Sequence, residues 1–506
     1  MFKTRYQKAM VSSMTSLAYQ FVSVICGLIV PRLLISTFGD ETYGATTSIT
    51  QFLSYIALIE GGIGGVGRAA LYNPLAHKDI AHISKIYVTL KDFFRRVGVA
   101  FIAYTIVIGV VYHDIAGITA WSRLFTLLLV FAISISTIGQ YFIGISNVTL
   151  INAAQKHYIN NIASIVVTIL NTIAVVILIN LGCNILCVKF ISSCVYIIKP
   201  FVLNRYVKIK FELTENEKAD LNILSQRWTG IGQHIAFFLH TNTDVILLTL
   251  FSNLKMVSVY SVYYMVSSNI QRITRSFSSG MEAVYGDMIS KKENVQLYKA
   301  YTYYDNFTST ITIILFSTTV VMIMPFISIY TAKFEGVSYV YPVFAVLLLM
   351  AEAIECFSIP YYNLAIAANH FAKTKYGAYG EAVINIVVSL CLVRIFPLEG
   401  VAVGTLAAVI FKILYYAIYG AKNILGTKIS KVLTRIIINI IIIMINAVIG
   451  LYIIKPMSID LLVKWIGSSM IVFGVVSIST VILKFMLFTK EYTIFLEKML
   501  KKDEAF

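Results

Sequence analysis

Residues 436–454 read IIINIIIIMINAVIGLYII, a run with no charge in it and two asparagines as its strongly polar side chains. As an α-helix rising 1.5 Å per residue it would be about 28 Å long, close to the ~30 Å hydrocarbon core of a bilayer. It is continuously apolar and lacks the alternation of a barrel strand, so it reads as a membrane-spanning helix. Working outward, the same reading applies at 13–38, 42–70, 93–112, 121–147, 159–180, 183–203, 229–252, 257–280, 306–330, 340–367, 378–396 and 401–421, and then at 461–488. With 436–455 this makes fourteen apolar helical segments, and the expected fold is an all-α integral membrane protein.

Composition agrees. The 506-residue chain is 58% hydrophobic and 13% charged, with a mean hydropathy of +0.80. Soluble domains run at about 45–50% apolar and about 25% charged, and a chain this apolar could not cover itself with polar surface. A soluble enzyme, a disordered chain and a disulfide scaffold are therefore excluded. No hydrophilic stretch is long enough for a catalytic domain, and no G-x-x-x-x-G-K-[ST] loop occurs that would make the chain an ATP-driven pump. The expectation is a protein that is not an enzyme, with no cofactor, no metal and no nucleic-acid partner. The cysteines (Cys26, Cys183, Cys187, Cys194, Cys356 and Cys391) sit in apolar stretches with no ligand set around them, and read as buried thiols. No cleavable signal is visible, so the first segment is expected to stay as a span.

The net charge of +16 follows topology. With both termini placed in the cytoplasm of a plasma-membrane protein, 29 of the 41 Lys and Arg fall on that side and six on the other. The remaining six, Arg32, Lys189, Lys199, Arg272, Arg275 and Lys412, lie within spans.

The chain also repeats itself. Leu33-Leu34-Ile35-Ser36-Thr37-Phe38-Gly39-Asp40 aligns with Ile246-Leu247-Leu248-Thr249-Leu250-Phe251-Ser252-Asn253, and Tyr43-Gly44 with Tyr260-Ser261 four residues later in offset. Both copies fall at the turn of a helical hairpin, segments 1–2 and 7–8. An even number of spans separates them, which implies a parallel repeat about an axis along the membrane normal. The expected organisation is a six-helix half over 1–210, a second over 211–425, and two further helices with a cytoplasmic tail over 426–506.

Val30-Pro31-Arg32-Leu33-Leu34, the turn Phe38-Gly39-Asp40-Glu41-Thr42-Tyr43-Gly44, and Leu58-Ile59-Glu60-Gly61-Gly62-Ile63-Gly64 with Arg68 and Leu71 beyond it carry a resemblance. They resemble the opening of Wzx-type polysaccharide flippases of the multidrug/oligosaccharidyl-lipid/polysaccharide exporter superfamily. Phe38 before the turn glycine and Glu60 in place of the commoner aspartate depart from that pattern. Thr243-Asp244 through Tyr260-Ser261-Val262-Tyr263 is similar to the seventh and eighth spans of the same family. The resemblance implies a lipid-linked oligosaccharide as cargo, turned from the cytoplasmic to the outer face for O-antigen, lipopolysaccharide or other surface polysaccharide synthesis. It also implies membrane lipids as surroundings and a polysaccharide polymerase or ligase as partner. A multidrug/cation antiporter of the same superfamily and a lipid-linked peptidoglycan precursor flippase are the alternatives.

Intramembrane ionisable groups are functional candidates by default. For substrate binding they are Arg32, Lys189, Asp244, Arg272, Arg275 and Lys412. Arg32 either meets an anionic head group or snorkels to the interface. Arg272 and Arg275, i,i+3 on one face, either chelate a pyrophosphate or anchor the basic end. Lys189 and Lys412 are either cavity cations or structural. For coupling or gating the candidates are Glu60, Arg68, His240, Glu352 and Glu355. Glu60 and Arg68 lie two turns apart on nearly one face, which allows a structural contact. Gln233, His240, Thr241 and Asp244 form one polar stripe. Glu352 and Glu355 precede Pro360, whose missing N–H frees a carbonyl; the pair could take H⁺ or Na⁺, or pair with bases on a neighbouring helix. Gly62-x-Gly64-x-x-Gly67 is no nucleotide fingerprint, because no strand precedes it, and Gly61-x-x-x-Gly65 reads as close helix packing.

Overall fold

The computed structural model describes residues 5–60, 63–214, 217–220, 231–277, 281–488 and 492. Among them every regular element is a helix. In chain order these are α1 (Arg5–Ser54), α2 (Ala57–Glu60), α3 (Ile63–His77), α4 (Ile80–Ile115), α5 (Arg123–Gly139), α6 (Ile145–Ala153), α7 (His157–Asn180), α8 (Ile185–Lys210), α9 (Ile231–Phe251) and α10 (Leu254–Ser276). They continue with α11 (Met281–Ser290), α12 (Asn294–Tyr330), α13 (Pro342–Ala367), α14 (Phe371–Leu392), α15 (Pro397–Gly420), α16 (Ile429–Ile454) and α17 (Leu462–Leu487). Single π-helical turns, Gln140–Gly144 and Ala421–Leu425, join α5 to α6 and extend α15.

The fourteen apolar segments are mainly helical over their described residues, with a turn at 55–56 inside the second and a helix end at Leu392 inside the eleventh. Helix α1 holds the first and the start of the second. Its 50 residues would span about 75 Å, more than twice a bilayer core, and it breaks at Gly39, where φ is 83° and ψ 168°. A side chain there would be strained, which accounts for the turn glycine. The break aligns with Ser252–Asn253, the gap between α9 and α10, at the offset of the sequence repeat.

Ten helical stretches among the described residues are long and apolar enough to cross a membrane, the first of them being Val11–Glu60. Segments 8 and 11 (α10 and α14) fall short of that measure, diluted by polar residues that include Arg275, Glu381 and Asn385, and segment 7 contributes the shorter apolar stretch Thr241–Phe251.

Several helices run past the apolar segment that announced them. Helix α4 begins at Ile80 rather than 93, α12 at Asn294 rather than 306, and α8 continues to Lys210. Their extra turns extend from the Lys/Arg-rich end. Helix ends are set locally. Asp79, Ser122 and Asn184 cap α4, α5 and α8 by accepting from backbone N–H groups three residues on. Left-handed residues at Gly117, Gln155, Gly182, Lys292 and Asn369 close helices with a 6→1 bond, as in Cys183 N–H to the Leu178 carbonyl.

The chain divides into two compact units. The first comprises 1–238 with 248–259 and 334–336; the second comprises 239–247, 260–333 and 337–506. The core of the first is a continuous apolar cluster along α4 that includes Leu90, Phe94, Phe101 and Tyr112, with Ile49, Leu71, Leu129 and Leu150 around it. In this unit Gly44 meets the backbone of Leu254 so closely that a Cβ would collide with its carbonyl oxygen, and Ser48 Oγ lies 2.7 Å from Thr249 Oγ1. In the second unit, Val321 and Met322 of α12 pack on Val472 and Val476 of α17. The Trp465 indole there donates to the Met322 carbonyl at 2.9 Å.

Candidate functional site

The first unit contains a cavity of about 530 Å³. Its walls come from α1, the α2–α3 segment, the π turn with α6, α7 and α8. From Gln140 to Asn152 the wall extends about 18 Å along the helix axis, ending at the basic ends of α6 and α7. Gly64 and Gly65 line it, and a Cβ on either would meet nothing within 4 Å. Gly65 is thus not the close-packing glycine expected from Gly61-x-x-x-Gly65, and Gly61 lies outside the described residues. The packing glycine is Gly67, whose missing side chain makes room for Leu90.

Three charged side chains of opposite sign line this cavity: Glu60, Arg68 and Lys199. Glu60 accepts a hydrogen bond from the Tyr141 hydroxyl. The two-turn spacing of Glu60 and Arg68 does not produce an ion pair between them. Among the described residues neither Arg68 nor Lys199 has a carboxylate partner; Arg68 has His157, at the start of α7, within electrostatic reach. The amide oxygens of Asn152 and Asn160, both on residues lining the cavity, accept no hydrogen bond among the described residues. The cavity therefore offers two cations, two amide acceptors, and the hydroxyls of Thr149, Ser164 and Tyr19.

The second unit holds charge differently. Glu355 Oε1 accepts from Arg275 at 2.6 Å and from Lys412 at 2.9 Å, and Lys412 also reaches Glu381 at 3.1 Å. Glu352 lies within electrostatic reach of Glu355, Arg275, Asp244 and Lys412, and its Oε2 has no hydrogen-bond partner among the described residues. Asp244 Oδ2 accepts from Tyr260 at 2.9 Å and from Thr405 at 3.0 Å, and Asn385 donates in turn to Thr405. Among the described residues, four carboxylates thus face two cations, and Glu352, Glu355, Glu381, Asp244 and Lys412 are all buried.

A second buried cluster ties α16 and α17 to α12. Arg435 donates to Asp305 at 2.7 Å, and Lys484 donates to Ser309 at 2.5 Å. Phe488 and Tyr492 lie under the two cations at 5.9 and 5.8 Å.

Of the residues singled out from sequence, Arg275, Lys412, Glu352, Glu355 and Asp244 come together in the second unit. Glu60 and Arg68 line the cavity of the first. Arg272 is exposed near the end of α10, while Arg275 three residues on is held by Glu355. Arg32 on α1 and Lys189 on α8 are half-buried in the first unit and line neither site. The side chains of His240 and Gln233 lie outside the described residues. Sequence reasoning missed Lys199 as a cavity cation, and Glu381, Asn385 and Thr405 as partners. Glu381 was detectable, being an acid inside an apolar segment.

No protein-family model matches the sequence, and no curated protein does. Solved structures do. The lipid II flippase MurJ in an inward closed conformation aligns with a TM-score of 0.69 at 14% identity, covering 92% of this chain and 98% of that one. A multidrug resistance MATE family transporter of the MOP superfamily, inward-facing, aligns at 0.62 and 13% identity over 83% of this chain and 99% of that one. The MATE multidrug transporter DinF-BH aligns at 0.60 and 14% identity over 83% of this chain and 97% of that one. The chain is a multi-pass helical membrane protein with a MurJ/MATE-like fold.

Proposed function

We propose that this protein flips a polyprenyl-pyrophosphate-linked oligosaccharide from the cytoplasmic to the outer face of the plasma membrane for surface polysaccharide synthesis. A sugar pyrophosphate cannot cross about 30 Å of hydrocarbon alone. It needs a wet, cationic cavity, while its lipid tail stays in the bilayer. The observation that carries this reading is Arg68 and Lys199 in the cavity of the first unit, without a carboxylate partner among the described residues. The guanidinium and the ammonium bind the phosphates, and the amide oxygens of Asn152 and Asn160 accept from sugar hydroxyls. In this reading the halves, 1–210 and 211–425, rock about the head group, with 426–506 as an added pair of helices and both termini cytoplasmic. Fold likeness to a lipid II flippase and to MATE transporters supports a membrane flippase or transporter.

The acid-rich cluster around Glu352 is the coupling site in this proposal, taking a proton or Na⁺ from the outer side. Arg275 and Lys412, candidates in the sequence for either a substrate or a structural role, take the structural one in this proposal and hold Glu355 and Glu381 in place.

Reconstitution in liposomes with a fluorescent undecaprenyl-pyrophosphate oligosaccharide tests the reading. Wild type should translocate it, and Arg68→Ala with Lys199→Ala should lose at least about tenfold in rate at unchanged protein level. An unchanged rate would remove the cavity from the mechanism. In Glu352→Gln the dependence of the rate on pH and Na⁺ should flatten, and an unaltered profile would leave Glu352 structural. A peptidoglycan-precursor flippase is favoured by the MurJ likeness, and only the cargo's sugars separate it. A drug–cation antiporter is favoured by the acid-rich cluster, and drug-driven ion flux without movement of the lipid-linked sugar would establish it.

A further inference from the structure

Helices α7 and α8 of the first unit are joined by a tight turn that carries two of the six cysteines. Gly182, at φ 73°, closes α7, and the next residue, Cys183, donates its N–H to the Leu178 carbonyl at 3.0 Å. Asn184 then caps α8, its side chain accepting from the Cys187 N–H at 2.9 Å. Cys183 is thus the residue ahead of the cap, and Cys187 is the third of the helix. The chain ahead of a cap folds back over the start of its helix, which brings a side chain there against the first turn. The two thiols do meet, within hydrogen-bonding reach of each other. Both backbone positions are held by hydrogen bonds of the turn itself, so the pairing is a local property of this connection.

Apolar surroundings in the sequence predict buried thiols, and of the six only Cys356 is buried. Cys183 and Cys187 are half-buried, and Leu181, Gly182 and Asn184 around them are exposed, so the turn is open to reagents. Among the described residues no group of three or more metal-ligating side chains occurs, so no third ligand joins the two thiols. Thiol–disulfide exchange is the chemistry that two adjoining thiols can do alone. Compartment decides whether it happens. The far end of α8 carries Arg205, Lys208 and Lys210, and a basic end is the cytoplasmic one. The turn then lies at the outer face, where the surroundings are oxidising and disulfides persist. This placement rests on the orientation in the function proposed above, with both termini cytoplasmic; it does not rest on the cargo.

We propose that Cys183 and Cys187 are a redox-active pair that closes to a disulfide at the outer end of α8. The oxidant is an external disulfide, small-molecule or protein. One cysteine thiolate attacks a sulfur of that disulfide, forming a mixed disulfide and expelling a thiolate that takes up a proton. The second cysteine thiolate attacks the protein sulfur of the mixed disulfide and expels the other external thiol. Two protein thiols are oxidised, and one external disulfide is reduced to two thiols. Full-length protein in detergent is equilibrated with oxidised glutathione, quenched with N-ethylmaleimide and digested, and the peptide spanning 181–188 is read by mass spectrometry. It should be two hydrogens lighter and unlabelled, with labelling of the pair at least about tenfold below that of protein kept in dithiothreitol. A variant with Cys26, Cys194 and Cys391 all replaced by Ser should close the same bridge, whereas Cys183→Ser should leave Cys187 carrying the label or a glutathione adduct. Full labelling of both thiols after oxidised glutathione would overturn the proposal, as would glutathione adducts that never close or a bridge to another cysteine. In intact cells trapped with N-ethylmaleimide the pair should be bridged, and a membrane-impermeant reductant should open it to label. A pair that bridges in detergent and stays reduced in cells would overturn the outer placement. The readout needs no cargo, so failure of the transport reading would leave this result standing.

Discussion

In the first unit Arg68 and Lys199 line a cavity and meet no carboxylate among the described residues. In the second, Lys412 and Arg435 are buried and each is bonded to acids within 3.1 Å. The same residue types thus serve opposite ends. A buried cation tied to a carboxylate is fixed, because separating the pair leaves a charge in a low-dielectric interior. A cation at a cavity wall without such a partner is open to an anion from outside, which is the role proposed for Arg68 and Lys199. What distinguishes a binding charge from a structural one here is the presence of an internal partner, and depth along the span does not decide it.

Substitutions can break that distinction. The largest effect is expected at Asp305. Asp305→Ala takes from the buried Arg435 the carboxylate that accepts from it at 2.7 Å, and should destabilise the protein by about 3–5 kcal/mol, seen as a lower melting temperature in detergent. A loss below about 1 kcal/mol would mean that water or lipid already neutralises that cation. Next comes Lys412→Met, where Arg275 still holds Glu355; the loss should be nearer about 3 kcal/mol. Lys412→Met combined with Glu381→Gln should recover part of it.

Tyr141→Phe removes the hydroxyl that holds Glu60, a bond to a charged acceptor worth about 1.5–3 kcal/mol where both groups are buried and less in a hydrated cavity. It should slow translocation more than it lowers the melting temperature. Arg68→Ala is expected to change stability by no more than about 0.5 kcal/mol while impairing transport. A large stability loss there would place Arg68 with the structural charges.

The smallest effect lies outside the membrane, where water screens a pair. Asp79 caps α4 and accepts from the His82 backbone N–H and ring, and these bonds hold its carboxyl below the usual carboxylate range. The sign follows. The contribution of the cap is complete above the unfolded value near pH ~4 and fades as pH falls through the lower folded value. Amide protection in the first turn of α4 should decline in that window in wild type and be weak at every pH in Asp79→Ala.

Much of this was legible in the sequence. Fourteen helices follow from uninterrupted apolar runs, because a bilayer leaves the backbone few alternatives. Glu60, Asp244, Glu352 and Glu355 stood out as acids inside such runs. Partners did not, because pairing is made across helices far apart in sequence, as between Glu355 and Lys412. Asp305 and Arg435 escaped for another reason. Hydropathy places each one residue outside an apolar segment, yet both are buried, since α12 and α16 continue past the apolar stretch and cover each other there. Hydropathy reports the solvent a helix could face and says nothing of the neighbour that covers it.

The π turn at Gln140–Gly144 bears on how this chain tolerates change in length. There the Ile145 N–H bonds five residues back, to the Gln140 carbonyl, so the turn carries one residue more than an α-helix needs. Deleting one residue there would turn the five-residue closure into the four-residue closure of a regular α-helix and leave the helix beyond it near its present rotation, because the wide turn already takes up the surplus residue. Val148, Thr149 and Asn152 should then stay on the cavity wall, whereas a deletion at the start of α6, which has no such slack, would rotate them by about 100° and carry them off it together. The wide turn is thus the place in this span where the chain can lose a residue without re-aiming the cavity lining.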